Sequence, residues 1–217
     1  MSSSHSNASP WRFRPRLEEV EARDVPSTFG TNLIVNGDAE AGAGSATGSD
    51  VISVVPGWTA SGNFTVVDYG AGSAGAFPKA TDAGPGDRGE HFFAGGPDNA
   101  TSRAKQVITL TGGRRAIDQR RVQFMLSGYL GGSKTHGGNA VVKATFRSAT
   151  GQVLGKAMIG PVSPADRGNA TGLFLRASSR RLPPGTRSIT VTVIMTGADA
   201  TYNEGYADDL SLILTRV

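Results

Sequence analysis

From Thr31 to the end of the chain, apolar residues recur with a period of two. In Ser188 to Thr196 the side chains of Ile189, Val191, Val193 and Met195 point one way, and those of Ser188, Thr190 and Thr192 the other. That alternation predicts a strand with one buried face. Val122, Phe124, Leu126 and Leu130 repeat it, as do Leu210, Leu212 and Leu214. The same reading predicts strands at Asn32 to Asn36, Val51 to Val55, Phe64 to Tyr69, His91 to Ala94, Lys105 to Leu110, Val122 to Leu130, Ala140 to Arg147, Val153 to Ile159, Gly172 to Ala177, Ser188 to Thr196 and Tyr206 to Leu214. No stretch between them has the spacing of an amphipathic helix. Many one-sided strands joined by Gly, Pro, Asn and Asp turns close best as two packed sheets. The expected fold is therefore all-β, a two-sheet antiparallel β-sandwich of jelly-roll or related type.

Composition agrees: 30 glycines supply turns, and the apolar fraction of 38% is low but regularly placed. There is no cysteine, which excludes disulfides, thiol chemistry and zinc–thiolate sites. The net charge of +4 comes from arginines scattered among acids, so no nucleic-acid partner is expected. The arginine pairs 114–115, 120–121 and 180–181 sit beside predicted strand edges, where charge discourages edge-to-edge pairing. No run reaches the roughly 20 apolar residues that span a bilayer. Residues 1 to 29 differ from the rest: Ser-rich, then Arg12, Arg14 and Arg16, then Glu18, Glu19, Glu21 and Asp24. They read as an address or tether, a disordered arm by composition, ahead of a single domain over residues 30–217.

Catalytic patterns are absent from the sequence. His5 lies in the N-terminal segment, His91 beside Phe92, and His136 in a Gly-rich turn, without metal-ligand spacing. There is no nucleophile elbow, zinc-protease helix motif or phosphate-binding loop. The chemistry-bearing candidates are acids at the two ends of the domain, Asp38 and Glu40 near its start and Asp208 and Asp209 near its finish. With Leu210, Leu212 and Leu214 facing the core, Asp208 has the parity of an inward residue. A carboxylate there needs Arg, N–H donors or a cation. Oxygen ligands from Asp38, Glu40, Asp208 or Asp209, completed by backbone carbonyls, suit a hard ion such as calcium. Asp87, Glu90, Asp199 and Glu204 are secondary candidates. A sugar site would need aromatic faces and nearby hydrogen-bonding groups. Tyr129 lies on the parity opposite to Phe124 and Leu126, and Tyr69, Tyr202 and Tyr206 are further candidates, whereas Trp58 beside Pro56-Gly57 reads as a core plug.

The stretches Asn32 to Glu40, Pro56-Gly57-Trp58 and Tyr206 to Leu212 together resemble the galactose-binding-domain-like jelly rolls, in particular carbohydrate-binding modules that open Asn-Leu-x-x-Asn-Gly-x-Phe-Glu and close Tyr-x-Asp-Asp-Val-Ser-Leu. Ala39 stands where that pattern has an aromatic residue. The resemblance implies a structural calcium joining the first and last strands through Glu40 and an Asp of the final strand. Residues 13 to 28 are similar to a segment that opens surface proteins of some bacteria, which implies export to the cell surface or beyond. Gly89 to Pro97 is similar to a stretch of secreted members of the same superfamily.

The resulting expectation is a non-catalytic, calcium-stabilised module, extracellular or at the cell surface, that recognises a glycan or cell-envelope polymer. Two alternatives stand beside it: a structural or adhesive surface-layer module without a soluble ligand, and a glycoside-active enzyme with two carboxylates facing across a cleft.

Overall fold

The computed structural model describes residues 28–72 and 77–217. The expected export segment lies outside the described residues except for Thr28 and Phe29. The elements are β1 (Thr59–Ser61), β2 (Thr65–Asp68), β3 (His91–Pro97), β4 (Thr101–Thr109), α1 (Arg114–Asp118), β5 (Val122–Gly132), β6 (Asn139–Arg147), β7 (Val153–Ile159), β8 (Gly172–Arg181), β9 (Ser188–Thr196) and β10 (Tyr202–Arg216). They form two five-stranded sheets, ordered β1-β4-β9-β6-β7 and β2-β3-β10-β5-β8. Every strand pair is antiparallel. The chain passes repeatedly from one sheet to the other, and the result is a jelly-roll β-sandwich.

The alternating residues explain the packing. Ile189, Val191, Val193 and Met195 of β9 are fully buried, as are Leu126 and Leu130 of β5 and Leu212 and Leu214 of β10. They meet in one core between the sheets, where Phe124 and Phe146 pack with ring centroids 4.8 Å apart. Each such side chain contributes about 1.5–3 kcal/mol by leaving water. Trp58 belongs to the same core, edge-on to Phe93 at 5.7 Å.

A second apolar cluster lies on the outer face of the β2-β3-β10-β5-β8 sheet: Val67, Ala71, Phe77, Phe92, Ala94, Leu173 and Tyr206. Its cover includes the segment before β3, pinned by Arg88, which donates to the carbonyls of Pro85, Lys79 and Asp82 and lies 5.2 Å from the Tyr69 ring centre.

Some elements differ from the sequence expectation. Asn32 to Asn36 is not a strand; only Asn32 forms a bridge, to Ile213. Val51 to Val55 forms no strand either, and Val54 is exposed. β1 and the one-turn helix α1 carry too few residues for a period to show. Among the described residues no helix is long and apolar enough to cross a membrane.

Candidate binding site

The three marked sequence stretches form one spatial unit. The side-chain amide of Asn32 acts as a piece of strand: Nδ2 donates to the Leu210 carbonyl at 3.0 Å, and Oδ1 accepts the Leu212 N–H at 2.9 Å. Gly37 follows because its carbonyl accepts the Leu210 N–H, and a Cβ on it would stand 2.1 Å from the Leu210 oxygen. Asn36 then turns the chain at φ 50°, donates to the Pro56 carbonyl and accepts the Ala41 N–H. Its own carbonyl receives the Trp58 indole N–H at 2.9 Å. The first motif is thus tied to the last strand on one side and to Pro56-Gly57-Trp58 on the other.

The parity argument for Asp208 is corrected by a β-bulge. The register of β10 against β5 shifts between Asp208 and Ser211, and Asp209 adopts φ 46°. Leu210 and Leu212 face the main core, while Asp208 turns to the outer face with Tyr206. Asp208 is nevertheless completely buried, beneath Tyr69, whose hydroxyl donates to Oδ2 at 2.6 Å; Oδ1 accepts the Asp209 N–H. Among the described residues it has no cationic partner. Burial, then the charges of Asp209 and Glu40 against the help of Tyr69, push its carboxyl up to about 8. The same burial and the Asp208 charge raise the Tyr69 hydroxyl.

Next to the bulge is an open pocket lined by Asn32, Ile34, Asn36, Gly37, Asp38, Asp87, Asp209, Leu210 and Ser211. Burial pushes Asp209 up to about 6, helped by the charge of Asp87, that of Asp38, a shared hydrogen bond with Asp87, and the charge of Glu40. Glu40 itself is held by backbone. Its Oε1 accepts the Glu90 and His91 N–H groups at 2.9 and 2.8 Å, an approach open only because residue 89 is Gly: a Cβ there would lie 2.3 Å from that oxygen. His91 stands between Glu40 and Asp68, at 3.4 and 3.3 Å. These are ion-pair distances without the alignment of a hydrogen bond.

The fit to calcium can be judged from these groups. Glu40, Asp38, Asp208 and Asp209 lie at one corner of the sandwich, and Asp87 joins them there, closer to Asp209 than Asp38 is. Burial first, and the neighbouring carboxylates after it, hold the carboxyls of Asp208 and Asp209 above their usual range. Among the described residues, however, no three acidic or histidine side chains are gathered as a ready-made metal cage. An ion there would complete its shell from backbone carbonyls and side-chain amides, which calcium accepts.

Of the candidate sugar-binding tyrosines, Tyr69, Tyr129 and Tyr202 come together, half-buried against the outer-face cluster, whereas Tyr206 is a buried member of that cluster and out of reach of a ligand. Two are already engaged. Tyr69 packs on Phe92 at 5.0 Å, lies near Arg88 and gives its hydroxyl to Asp208. Tyr202 meets Phe77 edge-on at 5.3 Å, with its hydroxyl buried and unpartnered. Tyr129 is directly paired with Asp208 on one side and Leu175 on the other. Along the same face run Met125, Ser127, Ala177, Ser179 and Ile213, with Met125 and Leu175 largely exposed. Leu175 was not singled out by the sequence because one exposed apolar residue in a strand carries no mark; its register opposite Tyr129 supplies it.

A scan against models of known protein families gives no match. A search of curated proteins finds no relative. Solved structures of similar architecture exist. A family 16 carbohydrate-binding module is 16% identical over 84% of this chain and 99% of its own, with TM-score 0.48. The CBM22-1 xylan-binding domain from Paenibacillus barcinonensis Xyn10C is 12% identical over 74% of this chain and 86% of its own, with TM-score 0.40. The enzymatically active domain of tailspike protein 4 from bacteriophage CBA120 is 14% identical with TM-score 0.45; 86% of this chain is matched, but only 21% of that one.

Proposed function

We propose that this chain is a non-catalytic carbohydrate-binding module that works outside the cell or at its surface and binds its glycan on the outer face of the β2-β3-β10-β5-β8 sheet. The observation that carries this reading is the open strip beside Tyr129. A half-buried aromatic ring stands next to the exposed Leu175; Ser127 and the exposed Met125 follow along β5, and Ser179 and Gln123, bonded to each other, close the strip with further polar groups for sugar hydroxyls. An aromatic and aliphatic floor with convergent polar groups is what the apolar faces and hydroxyl rims of a sugar chain require. Tyr69 and Tyr202 hold the floor in place rather than touching the ligand, because their rings and the Tyr69 hydroxyl are already taken.

In the same reading calcium occupies the pocket between Asp38, Asp87 and Asp209 and offsets their charge together with that of Glu40 and Asp208. Calcium supplies structural cohesion there: it ties the turn after Asn36, the segment around Asp87 and the bulge of β10 to one another. The test is retardation of the protein in gels containing neutral polysaccharides such as xylan, mannan and mixed-linkage glucan, for wild type and Tyr129→Ala. Retardation by one of them that Tyr129→Ala abolishes supports the proposal. No retardation by any, or equal retardation of both proteins, removes the site.

A further inference from the structure

The other sheet carries a different chemistry. None of its strands β1, β4, β9, β6 and β7 contains an Asp or Glu. Its outward positions hold Arg103, Lys105, Lys143, Arg147 and Lys156. The register orders them. Lys105 and Lys143 flank Thr192 directly on either side, so their stems stand two strand spacings apart, about 10 Å. Arg103 is two residues from Lys105 on β4, and Lys156 lies opposite Thr145 on the edge strand β7. Two depressions mark the face. One is lined by Arg103, Lys105, Thr59, Ser61 and Thr192, and the other by Lys143, Lys156, Met158 and, from the neighbouring sheet edge, Ser178 and Arg180.

Among the described residues none of these cations takes an ion-pair partner. Like charges gathered on one face repel, and a bound polyanion would remove that repulsion while releasing its own counterions. We propose that this face is a second binding surface, distinct from the Tyr129 strip, and that it docks an anionic polysaccharide. Sugar rather than nucleic acid is favoured by what lies between the cations. Thr59, Thr190, Thr192 and Thr145 offer hydroxyls, and the only ring on these strands, Phe146, is buried in the core, so no stacking platform exists for bases. The chain then grips a neutral segment on one face and an acidic one on the other.

The test uses the full chain and two immobilised probes, polygalacturonate and a single-stranded oligonucleotide, with uncharged dextran as the blank. Wild type binds polygalacturonate in low salt, and its affinity falls steeply as salt rises. Lys105→Glu with Lys143→Glu weakens that binding at least tenfold, and the slope of log affinity against log salt drops by about two. Lys105→Gln with Lys143→Gln, which is milder toward folding, weakens it by a smaller factor. Arg115→Glu with Arg120→Glu changes net charge equally from exposed positions around α1 and leaves affinity within about twofold. Equal weakening by both charge reversals would show that net charge, not this face, attracts the polymer. Tighter binding of the oligonucleotide would assign the face to nucleic acid. Either result, or binding of polygalacturonate no stronger than of dextran, overturns the proposal. Neutral-glycan binding through Tyr129 is unaffected by the lysine changes, so the two surfaces are tested separately.

Discussion

Asp208→Asn gives the sharpest energetic test of the corner where the chain ends meet. In the metal-free protein the Asp208 carboxyl titrates at about 8, against 3.8 for an unperturbed group. The folded state therefore holds a proton that the unfolded chain has already released, over the whole range between those values. Because the folded state binds more protons, stability must fall as pH rises through this window, by about 1.4 kcal/mol per unit for one group. From about pH 6 to about pH 7.5 the loss is about 2 kcal/mol. Asp209, at about 6, completes most of its own contribution below this range. Asparagine keeps the shape but does not titrate, so the variant loses this part of the slope whatever its absolute stability. One lost acceptor, to Tyr69 or to the Asp209 N–H, costs it about 1–3 kcal/mol at all pH values. Urea unfolding of both proteins in chelator at several pH values measures the difference. Parallel curves for wild type and Asp208→Asn would refute the claim that a buried carboxyl with a raised titration range sits here.

Four further outcomes follow from the same corner. Calcium at a hundred times its dissociation constant should stabilise the protein by about 2.7 kcal/mol, a rise in Tm of about 5–10 °C by calorimetry. Asp87→Asn with Asp209→Asn should abolish that rise, and an unchanged rise would place the ion elsewhere. Asn32→Ala, which strips two side-chain hydrogen bonds from the last strand, should cost about 1–3 kcal/mol in urea; no loss would mean that water replaces the amide freely. Gly37→Ala puts a methyl 2.1 Å from a carbonyl oxygen and should cost more than Asn32→Ala, and an equal or smaller loss would show that the turn relaxes at little cost.

Much of the sandwich was legible because its strands have one wet and one dry face. β7 and β9 span the very residues whose alternation marks them. The ends of the domain were harder. Asn32 to Asn36 is apolar enough for a strand, yet its backbone pairs with β10 only at a single bridge, and the Asn32 side-chain amide makes two of its other bonds to that strand. The bulge at Asp209 reversed the facing of Asp208, since a single positive φ shifts parity and no residue type announces it. The acids of the corner could be named from the sequence, but Asp87 rose from secondary to central only through a pocket formed by segments distant in the chain. Likewise, Tyr69 and Tyr202 looked equivalent to Tyr129 until their partners were seen. The charge on the opposite sheet was visible as scattered Lys and Arg; only the cross-strand register gathered it into a face.

The measurement that bears most directly on the proposed function is titration calorimetry of wild type and Tyr129→Ala with whichever neutral oligosaccharide the gel screen selects, calcium present throughout. The account predicts saturable binding by wild type, a loss of at least tenfold in the variant, about 1.4 kcal/mol or more, and unchanged thermal unfolding of the variant beyond the cost of a half-buried ring. Binding by Tyr129→Ala equal to that of wild type would contradict it.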